Sequence, residues 1–317
     1  MSGKAKKHAL AALDRSIAER RRLLKMALKP RTRRKQPPRY LPEAPLGSLA
    51  HDPTRRAAGW IAINVLLDQH ARTKGTKTRW FLATFAWDEG IVQANSVEVP
   101  LLRPMLHKVY KAVLEFGLSG MIFVDLVIFE PEDGPPYIHI HFHAALHTDD
   151  PSFKPSASAA KLSKRRAFRN SRFPAVDFRS RKMAANRFRN KGCHEYEYLF
   201  RNLEEKDQTK PSMAWLGYYL TKAPTKVKRV EQSLRRPDQD CIVDAPASEN
   251  APKLHLQLER LLQQIPLLSA VAGVGAEPSV SRAFKKRMRA WLKGQSVSRI
   301  RSGSKSTSRK KRKRRSA

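Results

Sequence analysis

The segment from Tyr137 to Thr148 constrains the fold more than any other stretch of the chain, because histidines alternate with apolar residues in it. The segment is YIHIHFHAALHT, and it places His139, His141 and His143 at every second position. Side chains two residues apart on a strand share a face and lie about 6.5–7 Å apart. The segment therefore predicts a strand with three imidazoles on one face and an apolar core face behind them.

A functional role explains these three histidines better than a solvated strand face does. The chain has 317 residues and only 10 histidines, so three at perfect alternation are hard to attribute to chance. Imidazoles on a rigid strand can chelate one divalent metal ion, because the sheet fixes their spacing. The strand is therefore the first candidate for a functional site.

The charge of the chain indicates a polyanionic partner. Lysine and arginine number 63 against 28 acidic residues, which gives a formal net charge of +35. Nucleic acid is the first partner to expect from such an excess, and an acidic membrane surface is the second. The longest apolar run, Ile265–Ala276, is shorter than the about 20 residues that span a bilayer. The two cysteines form no C-x-x-C pair, which fits a reducing compartment. Together these features predict a soluble cytoplasmic protein.

The order of the predicted elements favours an α+β fold. Helical spacing marks residues 57–71, 103–117 and 214–224, and strand patterns mark residues 79–87, 120–130 and 137–148. The turn residues PEDGPP separate the last two strands and predict a hairpin. We expect an antiparallel β-sheet with helices packed on one face.

Composition divides the chain into four segments. Residues 1–55 are basic and dotted with proline, which predicts an N-terminal arm, and residues 56–227 hold the strands and central helices. A polar linker and basic helices are expected in the C-terminal region, residues 228–300. Residues 301–317 are of low complexity and predict a disordered basic tail.

A second candidate feature is the short helix that contains GYYLTKAP. Tyr219 and Lys222 are three residues apart and would project from the same side, and Tyr218 could also reach Lys222. A tyrosine hydroxyl, with a pKa of about 10, is a poor nucleophile without help. A metal ion that polarises a phosphate and a nearby cation would both stabilise the developing charge. An ordinary amphipathic helix with a surface lysine is the alternative interpretation.

The histidine strand fits two unrelated chemistries. HIHFHAA satisfies the pattern of the histidine-triad hydrolases, in which a histidine attacks a nucleotide phosphate without a metal. Residues 78–226 more closely resemble the rolling-circle replication initiators, a family of the HUH (His-hydrophobic-His) endonucleases. WFLATFAW, GPPYIHIHFHAAL and YYLTK are similar to the family's three motifs and occur in the family's order. The resemblance covers residues 78–226, and a transposase of the same superfamily fits the same motifs.

This resemblance implies a ferredoxin-like or RRM-like palm and a set of roles for the site residues. Tyr219 would be the nucleophile, with Lys222 assisting it and Tyr218 structural. His141 would bind Mg²⁺ or Mn²⁺ together with either His139 or His143. Glu130 is a candidate third ligand, and a solvated hairpin acid explains it equally well.

The implied function is nicking of single-stranded origin DNA in a bacterial cytoplasm. Attack by the tyrosine would leave a 5′-phosphotyrosyl link and a free 3′-OH that primes rolling-circle replication of a plasmid or phage. The sequence contains no P-loop motif, so a host helicase and polymerase are the expected partners. A non-catalytic nucleic-acid-binding protein, with incidental histidines, remains an alternative.

A basic insertion at about 151–192 adds a candidate nucleic-acid-binding segment. Its phenylalanines lie between arginines, so cations could hold phosphates while rings stack on unpaired bases. The alternative is a disordered insertion that its phenylalanines anchor to the core. The candidate phosphate-binding residues are Lys164, Arg165, Arg166, Arg169, Arg172, Arg179, Arg181, Arg187 and Arg189.

Overall fold

The structure is a computed structural model. It describes residues 2–28, 44–73, 77–93, 98–131, 135–169, 176–179, 213–225, 227–233, 236–245, 252–275 and 280–296.

One mixed sheet forms the centre of the described chain. Its strands are β1 Arg79–Phe85, β2 Ile91–Val92, β3 Ser119–Pro131, β4 Tyr137–Thr148, β5 Val176–Arg179, β6 Val227–Ser233, β7 Arg236–Ala245 and β8 Val271–Val274. The strand order is β5-β1-β4-β3-β6-β7, with β2 also paired to β4 and β8 to β3. The predicted strands and the β3–β4 hairpin are confirmed, as is the α+β class.

The sheet departs from the purely antiparallel arrangement that the sequence predicts. β6 runs parallel to β3, with Ile128 opposite Val227, while the other strand pairs are antiparallel. Parallel neighbours need a crossover connection, and the helix before β6 supplies one. The polar segment after residue 228 was predicted to be a linker, and it forms the β6–β7 hairpin instead.

Seven helices accompany the sheet within the described residues. They are α1 Ser2–Leu28, α2 Asp52–Arg72, α3 Leu102–Glu115, α4 Pro155–Ser163, α5 Met213–Thr221, α6 Pro252–Gln264 and α7, residues 280–296. The predicted helices correspond to α2, α3, α5, α6 and α7. Among the described helices, none is both long enough and apolar enough to cross a membrane.

Helical segments cover both faces of the sheet, not the single face that the sequence predicts. α5 lies over the histidine face, where Tyr219 contacts His143. On the other face, Phe81 contacts Phe153, which in turn contacts Phe116 at the end of α3. β4 is buried on both faces, so its apolar side needs cover as much as its histidine side does.

α1 is a packed helix where the sequence predicts a basic arm. Leu13 and Ile17 are fully buried and lie one helical turn apart, together with Ala223 beyond α5. Arg20, on the same side, forms a buried ion pair with Glu259 of α6. The apolar stripe explains the packing, because the basic residues of α1 lie mainly on its outer side.

Replacing Gly217 with alanine is expected to destabilise the contact between α5 and α2. A β-carbon at Gly217 would lie 2.7 Å from the Cα of Ile63, which is too close for any neighbour except a flexible side chain. Overpacking of this kind costs about 1–3 kcal/mol. Urea unfolding of Gly217→Ala should show a loss of that size.

Gly294→Ala is the matched control, because nothing lies within 4 Å of a β-carbon at that helical glycine. There alanine should stabilise the protein by about 0.5–1 kcal/mol, since glycine disfavours a helix. Equal unfolding midpoints for the two variants would contradict the close α2–α5 contact that positions the tyrosine helix.

Candidate metal centre and tyrosine helix

Pairing between β3 and β4 places an aspartate opposite the histidine strand. Asp125 is the direct partner of His141, and Phe123 is the partner of His143. Residues that pair directly across antiparallel strands project to the same face. Asp125 therefore shares the histidine face, a position that was not predicted from the sequence. The available signal was a lone acid inside the apolar run MIFVDLVIF.

Asp125, His141 and His143 form a compact group of donor atoms. The two histidine Nε2 atoms lie 3.0 Å apart. The Oδ2 atom of Asp125 lies 3.6 Å from Nε2 of His141 and 3.4 Å from Nε2 of His143. Ligand atoms about 2.1 Å from one ion, at bond angles of about 90–110°, lie about 3.0–3.4 Å apart. The group can therefore hold a metal ion.

Contacts behind the imidazoles orient their Nε2 atoms toward Asp125. Nδ1 of His143 lies 3.0 Å from the hydroxyl of Thr84. Nδ1 of His141 lies 3.4 Å from the backbone oxygen of His139, which is a longer and weaker contact. An Nδ1–H held by an oxygen leaves Nε2 with the lone pair that binds a metal. In that tautomer both rings present Nε2 toward Asp125, where an ion would be held.

His139 and Glu130 are not part of this group. Nε2 of His139 lies 2.9 Å from the backbone oxygen of Trp87, and its ring contacts Phe129. Glu130 is five residues beyond Asp125 on β3, so it projects to the opposite face, about 16 Å along the strand. Of the pairs that the sequence left open, the structure brings together His141 and His143.

The electrostatics of the group keep the Asp125 carboxylate beside a neutral His141 imidazole. The exposed fractions of Asp125, His141 and His143 are 7%, 8% and 3%. Burial alone would raise the pKa of Asp125, but Lys222 and the neighbouring His143 and His141 hold it well below its usual range. Burial, together with the charge of His143, lowers the pKa of His141 well below the ordinary value. Both protonation states are those that a metal ligand needs.

The two adjacent tyrosines of α5 face different parts of the molecule. The ring of Tyr219 lies 4.7 Å from the ring of His143. Tyr218 packs beside Ala9, Leu13 and Ile17 of α1. Neighbouring residues of a helix point about 100° apart, so only one tyrosine can face the sheet. That residue is Tyr219, the tyrosine that the sequence motif favours.

Lys222 links the tyrosine to the aspartate. Its ammonium lies 3.0 Å from Oδ2 of Asp125 and 4.8 Å from the centroid of the Tyr219 ring. Burial opposes its charge, but the Asp125 carboxylate and the two tyrosines of α5 together outweigh burial and raise the pKa of Lys222 above its usual value. The lysine is therefore a fixed cation at neutral pH and not a base. Its pairing with Asp125 was not predicted.

A buried arginine fixes the end of the tyrosine helix. Nη1 of Arg55 donates to the backbone oxygen of Lys222 at 3.0 Å, and its Nε donates to that of Leu49 at 3.0 Å. Burial lowers the pKa of Arg55 to about 10, which leaves it protonated at neutral pH. The carbonyl at the end of α5 thus has a charged partner, and Lys222 is held in register with Asp125.

The basic insertion is described only in part. Lys164, Arg166 and Arg169 are exposed, and Arg165 forms an ion pair with Glu115. Phe168 is buried against Phe85 and Trp87, so this ring anchors the segment to the core. For Arg179 only the backbone of β5 is described. Outside the described residues lie Arg172, Arg181, Arg187 and Arg189.

No protein-family model matches the chain, and no curated protein or solved structure is significantly similar to it.

Proposed function

We propose that this protein is a metal-dependent enzyme that nicks and rejoins single-stranded DNA at a replication origin. The observation that carries the proposal is the position of Tyr219, whose ring contacts His143 of the Asp125–His141–His143 group. A tyrosine, a metal-binding group and a fixed cation meet on one face of the sheet. The net charge of +35 supports a nucleic acid as the substrate.

The chain's own residues would divide the chemistry as follows. The Tyr219 hydroxyl loses its proton to water and its oxygen attacks the phosphorus. The new O–P bond replaces the bond to the 3′ oxygen, and that oxygen leaves as a 3′-OH after taking up a proton from water. Lys222, cationic at neutral pH, stabilises negative charge on the phenolate and the phosphate. Asp125, His141 and His143 would hold Mg²⁺ or Mn²⁺, which supplies Lewis-acid polarisation of the phosphate.

These roles suit transfer of a DNA strand to the tyrosine better than simple hydrolysis of the phosphodiester. A phosphotyrosyl link conserves the energy of the broken phosphodiester, so the free 3′-OH can later attack it and rejoin the strand. The nicked strand would prime rolling-circle replication of a plasmid or phage by a host helicase and polymerase. A transposase of the same superfamily would use the same chemistry. The histidine-triad alternative uses an imidazole as the nucleophile and gives no role to Tyr219, which contacts His143.

The test is a cleavage assay on a pool of single-stranded oligonucleotides with Mn²⁺, run on denaturing gels that retain protein–DNA adducts. We expect an adduct with the wild type and none with EDTA. Tyr219→Phe should reduce adduct formation by about a thousandfold or more, because the nucleophile is removed. The matched control is Tyr218→Phe, which removes the neighbouring hydroxyl and should still form the adduct.

Two results would overturn the proposal or its choice of residue. An adduct that persists in Tyr219→Phe and disappears in Tyr218→Phe would assign the reaction to the other tyrosine. Metal-independent hydrolysis of nucleoside phosphoramidates, with no adduct on any strand, would place the protein with the histidine-triad hydrolases.

A further inference from the structure

One side of α7 carries a stripe of exposed cations. Arg282, Lys286, Arg289 and Lys293 are all exposed, and they recur at spacings of four, three and four residues. This spacing follows one face of a helix. We call these four residues the α7 stripe. At 1.5 Å per residue, it extends for about 16 Å.

The helix contains nothing that balances this charge along its own length. Residues 280–296 include six lysines and arginines and no acidic residue. Like charges one helical turn apart destabilise a helix, and a merely solvated face usually mixes both signs. Burial, with the charge of Arg289, lowers the pKa of Lys285 between the stripe and the core. Among the described residues, the one ion pair of α7 is the exposed contact between Arg287 and Asp68 of α2.

The opposite side of α7 is fixed to the sheet. Phe284 and Met288 are fully buried, and the ring of Phe284 lies 5.4 Å from that of Phe123. Ser281 packs so tightly on β8 that a β-carbon at Gly273 would lie 1.8 Å from its Oγ. The stripe is therefore a rigid array, because its helix cannot rotate or withdraw without opening the core.

We propose that the α7 stripe binds the phosphate backbone of duplex DNA that flanks the nicked strand. Its length of about 16 Å corresponds to about five base-pair steps at 3.4 Å each. Four cations on a straight helix can contact successive phosphates but carry no aromatic ring to stack on unpaired bases. Such contacts position a duplex without reading its sequence.

The surroundings of the helix favour a duplex over a membrane surface. An amphipathic helix that binds a membrane inserts its apolar side among the lipids. Here that side is occupied, since Phe284 and Met288 are buried in the core. Phe123, which contacts Phe284, is the direct strand partner of His143. The stripe is thus anchored beside the proposed nicking site, and the choice of DNA as its partner rests on the proposed function.

The experiment measures binding of the full chain to a 20-base-pair duplex across a salt series, in EDTA and on a Tyr219→Phe background. The stripe variant is Arg282→Gln/Lys286→Gln. The control is Lys7→Gln/Arg15→Gln, which removes the same charge from exposed positions of α1. Losing two phosphate contacts should reduce the slope of log affinity against log salt by about 2. We expect at least a tenfold loss of duplex affinity in the stripe variant and less than a threefold loss in the control.

Three results would overturn this inference. Equal losses in both double variants would mean that net charge alone attracts the duplex. If the stripe variant lost affinity only for single-stranded DNA of the same length, the stripe would bind single strands and not a duplex. Binding to phosphatidylserine vesicles that depends on the stripe, with unchanged duplex binding, would assign it to a membrane. Because the assay needs no cleavage, stripe-dependent duplex binding would stand even if the cleavage assay refuted the nicking function.

Discussion

Replacing Asp125 with asparagine is expected to abolish metal binding at the histidine strand and to stop adduct formation. Asp125 supplies the only negative charge of the donor group, and its Oδ2 faces both Nε2 atoms within 3.6 Å. Asparagine keeps the shape but replaces an anion with a neutral oxygen, which hard divalent ions bind poorly. Removing a residue that only hydrogen-bonds to a metal ligand costs about 10–100-fold in metal affinity. Removing a ligand itself should therefore reduce the affinity by about 100-fold or more.

Glu130→Gln is the matched control for this substitution. It removes one carboxylate from the same strand, but from the opposite face. Titration calorimetry with Mn²⁺ should give near wild-type affinity for Glu130→Gln and no measurable binding for Asp125→Asn. The thermal midpoint of the wild type and of the control should rise with Mn²⁺, because a ligand stabilises the state that binds it. Binding lost in Glu130→Gln and kept in Asp125→Asn would move the metal site to the other face.

The histidine strand could be predicted from sequence because alternation is a local signal. Apolar residues at 138, 140 and 142 require a core behind them, so the register of the imidazoles follows from the pleat alone. The tyrosine helix is equally local, since the three-residue spacing of Tyr219 and Lys222 determines which side they share. These two features sufficed to place the candidate site on one face of a sheet.

The partners of these residues depend on contacts far apart in the chain and were not predicted from the sequence. Asp125 acquires its role only through its pairing with His141 in β4. An isolated carboxylate in a strand buried on both faces is costly, and this rule could have identified it as a paired or ligating residue. The parallel direction of β6 and the packing of α1 depend on where α5 crosses the sheet. No local pattern specifies that crossing.

Lys222 holds an unexpected position, because its ammonium contacts the oxygen that a metal ion would use. Nζ lies 3.0 Å from Oδ2 of Asp125, on the same atom that faces the two histidines. A divalent ion and this ammonium would then share one carboxylate. At about 5 Å, with an effective dielectric constant of about 20, such charges repel by several kcal/mol. Solvent reduces this repulsion, because a quarter of the lysine side chain is exposed.

Replacing Lys222 with glutamine is therefore expected to change metal binding and chemistry in opposite directions. Mn²⁺ affinity should rise at least tenfold, because the competing cation is gone and about 1.4 kcal/mol suffices for that change. Adduct formation at saturating Mn²⁺ should fall at least tenfold, because the phenolate of Tyr219 loses its nearby cation. Simple loss of structure would weaken both, so the opposite signs distinguish a role in the reaction from a role in folding.

Lys222→Arg is the control for charge, since arginine keeps the cation near Asp125 and Tyr219. Its Mn²⁺ affinity should stay close to that of the wild type, while its planar guanidinium restores only part of the reaction rate. Calorimetry and the adduct assay on all three proteins give the two readouts. Weaker Mn²⁺ binding in Lys222→Gln would show that the lysine orders Asp125 for the metal. In that case the ion pair would support the metal centre, and Lys222 would not compete with the ion.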